Sequence, residues 1–126
     1  MEIALSGILE RQKLRCYKGI MENDSVQRLS NKQLLRDLEA AASCERQITA
    51  RLIALLTELD ARRLYLAEGY ASMFVYCTQS LRLSEHAAYG RIEVARAARK
   101  FPVIVELLAD GSVTLTTICL LASHLN

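Results

Sequence analysis

From Ser30 onward, apolar residues return every third or fourth position: Leu34, Leu38, Ala41, Ile48, Leu52, Leu55, Leu59 and Leu66. That period is one stripe of a long α-helix, widened on one flank by Leu35, Ala42 and Leu56. Ser30 followed by Gln33 reads as an S-x-x-Q capping box that opens it. A stripe this wide is what a helix packed into a globular core requires, whereas a coiled-coil seam is narrower. Glu45 and Arg62 also fall on the stripe, which argues against an extended zipper. The alternative is a dimerising or partner-binding helix, with Leu34, Leu38, Ile48, Leu52, Leu55 and Leu59 as its face. Glu58 and Arg62, four residues apart, support the outer face by a few tenths of a kcal/mol.

Further along, each helical run has its own punctuation. Gly69 is placed to supply the left-handed residue that stops the long helix. Ser72 caps a short helix carrying Met73, Phe74, Tyr76, Cys77 and Leu81, and Leu83 with Ser84 breaks it. Ser84 then caps a helix through Ala88, Ile92 and Ala95 to Phe101. Pro102 suits the first position of the next, which holds Val103, Ile104, Leu107 and Leu108 and ends at Gly111. Thr114 caps the last, Leu115 to Ala122. The pattern therefore predicts an all-α fold over 30–126: a compact bundle of one long and about four shorter helices, with a helix-turn-helix-like pair at 72–100.

Residues 1–29 show no sustained period. An apolar patch at Ile3, Leu5, Ile8 and Leu9 precedes a basic run at Arg11, Lys13, Arg15 and Lys18. Met21 is an alternative start, so this stretch reads either as a weakly ordered extension or as a short amphipathic helix docked on the body.

Composition narrows the classes. Of 126 residues, 52% are hydrophobic, with a single Pro and five Gly, too few turn residues for a β-rich fold. A chain of this length buries roughly two thirds of its unfolded surface without a metal or disulfide staple. Cys16, Cys44, Cys77 and Cys119 are too widely spaced for a zinc site and read as free buried thiols, which points to a reducing compartment, the cytoplasm. No apolar stretch reaches the ~20 residues of a membrane span. The net charge of +2 is too small by itself to argue for nucleic acid.

Its distribution is less neutral. Between 81 and 100, Arg82, Arg91, Arg96, Arg99 and Lys100 stand against Glu85 and Glu93, so this stretch alone is +3. If the pair at 72–100 is a helix-turn-helix, its second helix is the reading element. Arg91, Arg96, Arg99 and Lys100 would then meet phosphates, with His86 and Tyr89 near base edges. At 100° per residue, Ala88, Ile92 and Ala95 point inward, and Glu85, His86, Tyr89, Gly90, Glu93 and Arg96 point outward. The competing reading is plain: basic residues gather at a helix end because they complement its dipole. Enzyme chemistry has less support, since the histidines are His86 and His124 alone and no catalytic or phosphate-binding motif is present. No catalytic residue, metal ligand, cofactor or small-molecule ligand is expected. The aromatics Tyr65, Tyr70, Phe74, Tyr76 and Tyr89 read as core residues with surface hydroxyls.

Two long strings carry a resemblance. Leu55 to Tyr65 (LLTELDARRLY) with Gly69 to Cys77 (GYASMFVYC), and Leu83 to Arg99 (LSEHAAYGRIEVARAAR) followed by Phe101 to Ile104 and Leu107 to Gly111, resemble the N-terminal helical region of bacterial HNH endonuclease-type proteins. The likeness covers residues 30–125. In that family the helical region precedes a nuclease module whose paired histidines hold a divalent metal, and no such module occurs within this sequence. The resemblance therefore implies a non-catalytic helical domain, of unknown function in the family, that positions a nuclease on DNA or on a partner. A truncated relic of such an endonuclease is the third alternative.

Overall fold

The computed structural model describes residues Val26 to His124, and the expectations for the apolar patch, the basic run and Met21 lie outside them. A 3-10 turn, Val26–Arg28, leads into α1 (Asn31–Arg62), followed by α2 (Leu64–Ala67), α3 (Met73–Gln79), α4 (Glu85–Lys100), α5 (Val103–Asp110) and α6 (Leu115–Ala122). No strand occurs among the described residues, so the all-α expectation holds. None of their helices is long and apolar enough to cross a membrane. The chain forms two compact units that divide inside α1, Met1–Glu45 and Arg46–Asn126.

In the first unit, Ser30 caps α1 as expected, its hydroxyl accepting from Gln33 N–H at 3.2 Å. The reciprocal half of the capping box is not made: Gln33 Nε2 donates instead to Asp37 Oδ1, one turn on, at 2.9 Å. Cys44 is buried and disulfide-bonded, which corrects the expectation of four free thiols. The cysteine argument for a reducing compartment loses that residue as a premise; Cys77 and Cys119 are free.

The second unit is a helical bundle built around α4, which packs on α3, α5 and α6. The core is Ala50, Ile53 and Leu56 of α1, Met73 and Cys77 of α3, Ile104 and Leu108 of α5, Ile118 of α6, and six residues of α4. Those six, Ala88, Ile92, Val94, Ala95, Ala97 and Ala98, surround most of the helix. Four are alanines, so neighbours can approach the α4 backbone closely from several sides. Thr57 of α1 shows how closely: its Oγ1 donates to Ala95 O of α4 at 3.1 Å as well as to Ile53 O of its own helix at 2.8 Å.

The predicted caps are where the sequence puts them. Ser72, Ser84 and Thr114 accept from the N–H groups of Val75, Ala87 and Thr117. Gly111 ends α5 at φ 85°, and Asp110 Oδ1 accepts from Ser112 N–H at 2.7 Å in the turn beyond. Pro102 has helical torsions but stands one position ahead of α5.

Two further expectations are corrected. The long helix ends at Arg62, not at Gly69. Arg63 adopts the left-handed conformation (φ 51°), and α2 restarts at once behind it. A left-handed residue with a Cβ is locally unfavourable, so nothing in the local sequence marks this break. The second correction concerns the Leu stripe. The α1 face turned into the core is Ala50, Ile53 and Leu56, while Ile48 and Leu55 of the predicted stripe stay exposed and Leu52 and Leu59 are half-buried at its edge.

Candidate functional site

α4 presents one exposed strip, because the rest of its surface is packed against α1, α3, α5 and α6. Glu85, His86, Tyr89, Arg96, Arg99 and Lys100 are exposed on it and Glu93 is half-buried. At 100° per residue these seven fall within one arc, so His86, Tyr89, Arg96, Arg99 and Lys100 of the proposed reading face do share a surface. Arg91 does not: it lies across the helix, with Nη1 donating back to Ala87 O at 3.4 Å and Nε buried without a partner. Gly90 also turns inward, contrary to its expected outward position. A Cβ there would lie 3.7 Å from Cys119 Sγ of α6, whose thiol donates to Gly90 O at 3.5 Å. Arg82 is exposed in the turn between α3 and α4, in the left-handed conformation (φ 57°).

At its C-terminal end the strip runs into an open cleft of about 790 Å³, lined among others by Asp60, Glu93, Arg96, Arg99, Lys100 and Phe101. Arg96 Nε stands 3.8 Å from Asp60 Oδ2. With its side chain 63% exposed, Arg96 gains little stability from that pair. Three cations against Asp60 and Glu93 leave the cleft at +1. The carbonyl end of α4 also points into this region, and its negative dipole end favours the cations and disfavours a bound anion. Asp60 was not legible as part of this surface, since only tertiary packing brings it to Arg96.

The second surface is α1. Ile48 is 47% and Leu55 54% exposed, Leu52 and Leu59 are half-buried beside them, and Arg51 and Glu58 are exposed along one flank. Glu58 also pairs with Arg62 at 2.7 Å, as the four-residue spacing predicts, with both side chains mostly exposed. In the first unit, Leu34, Leu35 and Leu38 are likewise exposed. Leu120 and Leu121 of α6 are exposed apolar residues that the sequence reading passed over. Their signal was available: Leu115, Ile118, Cys119 and Ala122 form the buried stripe of α6, and Leu120 and Leu121 fall off it.

Tyr70 and Tyr76 stack edge to face at 5.2 Å, and both are half-buried, in keeping with their reading as packing residues. Among the described residues no three of His, Cys, Asp or Glu converge to hold a metal. Scans of family models, of curated proteins and of solved structures find no match to this chain.

Proposed function

We propose that the chain is a non-catalytic helical module that works by protein association through α1, in keeping with its resemblance to the region preceding the nuclease module in HNH endonuclease-type proteins. The observation that carries this reading is the half-exposed apolar row Ile48, Leu52, Leu55 and Leu59. Leu52 and Leu59 pack partly on the core, whereas Ile48 and Leu55 are exposed beside them, and contiguous exposed apolar surface marks an interaction site. Leu55→Asp tests it. The substitution is expected to leave stability within about 0.5 kcal/mol of the parent, as at other surface positions. It should also lower the binding of the apolar dye anilinonaphthalene sulfonate to the native protein at low concentration. Equal dye binding by parent and variant counts against this face as the point of association.

The convergence of Arg96, Arg99 and Lys100 supports a second reading, DNA binding by the exposed strip of α4. Phosphate contacts would come from these three, with Arg82 at the other end and His86 and Tyr89 toward the bases. The small net charge of the cleft and the helix dipole place this behind association. Titration of mixed duplex DNA against salt decides it: log affinity should fall with log salt by nearly one per phosphate contact, hence about three. Absence of binding at low salt excludes it.

A further inference from the structure

We infer that the occupant of the α1 face is a second copy of this chain, seated with its α1 antiparallel. The inference rests on the association reading and names its partner. Ile48, Leu52, Leu55 and Leu59 follow one another in steps of four, three and four, a spacing that reads the same from either end. An antiparallel copy therefore sets Ile48 against Leu59 of the second copy and Leu52 against Leu55 of the second copy, with the twofold axis passing between residues 53 and 54. Such an interface is isologous, so every contact is made twice.

Charge complementarity selects this direction. Arg51 and Glu58 lie exposed on the same flank of the row. In antiparallel register Arg51 comes beside Glu58 of the second copy, and the symmetry repeats the pair. A parallel pair would instead set Arg62 against Arg62, like charges within the seam. The exposed Glu58–Arg62 pair within each copy is weak enough to exchange partners. Within each copy Ala50 and Ile53 point away from the row, while Leu56 lies beside Leu52 and the inner edges of Leu52 and Leu59 pack on the core, so the second copy meets Ile48, Leu55 and the outer edges of these two leucines.

Sedimentation equilibrium of the full chain across micromolar concentrations, with its own disulfide intact, is the test. The mass should rise from 14.1 kDa toward twice that value. Leu55→Asp should raise the dissociation constant more than tenfold, and Arg51→Glu should raise it severalfold. The double change Arg51→Glu with Glu58→Arg should recover most of that second loss. Circular dichroism of each variant confirms that its helices are kept. A monomer at all concentrations overturns the second copy as occupant, while dye binding sensitive to Leu55→Asp would leave the association reading standing. A dimer indifferent to Leu55→Asp overturns both. A dimer lost with Leu55→Asp but unmoved by Arg51→Glu, or not recovered by the double change, overturns the antiparallel register. A dimer whose two chains stay covalently linked on denaturing electrophoresis without reductant is a disulfide product and overturns the proposal.

Discussion

Arg63 and Arg82 are the non-glycine residues with positive φ among the described residues, and each stands at a break between helices. A left-handed residue with a Cβ costs about 1–2 kcal/mol, part of which a glycine would return through its own greater loss of freedom on folding. Arg63→Gly is therefore expected to stabilise the protein by about 0.5–1 kcal/mol, read as a higher denaturation midpoint; a lower midpoint would mean that the Arg63 side chain makes a contact that matters more than its torsion. The cysteines give a second residue-scale prediction. Burial raises the Cys77 thiol above its ordinary pKa, and burial, followed by the charge of Glu93, raises that of Cys119. A thiol whose folded pKa is raised stabilises the fold below its unfolded pKa, ~8.5. That contribution is lost as pH climbs from there through the folded value. Stability should thus decline above about pH 8.5, and both thiols should react slowly at neutral pH. With Cys44 in a disulfide, the unfolded protein should titrate fewer than four thiols before reduction and four after it. Four in both conditions would remove that bond.

At the scale of elements, α1 separates two kinds of apolar residue that its sequence does not distinguish. Ile53 is fully buried and Leu55, two residues on, is half exposed. Ile53→Ala should cost about 2–5 kcal/mol, as large-to-small core changes do, and Leu55→Ala under about 1 kcal/mol in the monomer. Comparable losses at both would mean that the helix is rotated from its described orientation. Caps were legible because each is local: Ser72, Ser84 and Thr114 reach an amide three residues ahead, and Gly111 needs only its own torsion. Loss of the α4 cap by Ser84→Ala should cost ~1 kcal/mol. The core side of α1 was not legible, since the leucine row and the row Ala50, Ile53 and Leu56 both recur at helical spacing. The choice between them is made by α4, whose small side chains admit Ile53 and Thr57 closely. The break at Arg63 and the inward turn of Gly90 and Arg91 have the same origin, in packing that no local pattern records. Of the candidate basic face, the exposed strip followed from helical period alone, whereas the Asp60 carboxylate that offsets Arg96 belongs to another helix.

For the whole molecule the sharpest prediction concerns catalysis, because the resemblance to HNH endonuclease-type proteins invites a nuclease assignment. A metal that orients water at a phosphodiester needs ligands held together on a rigid frame. His86 lies in the first turn of α4, exposed, and His124 lies just beyond α6, also exposed. Neither makes a described hydrogen bond through its side chain to fix an imidazole tautomer, the second partner that a metal-binding histidine ordinarily has. Of the acidic residues by the basic strip, Asp60 faces Arg96 and Glu93 lines the same cleft, and among the described residues no three of His, Cys, Asp or Glu converge. A carboxylate facing a guanidinium is a poor metal ligand, because displacing the arginine would leave its charge beside the ion. The purified chain is therefore expected to leave supercoiled plasmid intact with Mg²⁺, Mn²⁺ or Zn²⁺, even at salt concentrations low enough for DNA to bind the α4 strip. Metal-dependent nicking that co-purifies with the chain and disappears on His86→Ala would sink this prediction, and with it the reading of the module as one that acts only by association.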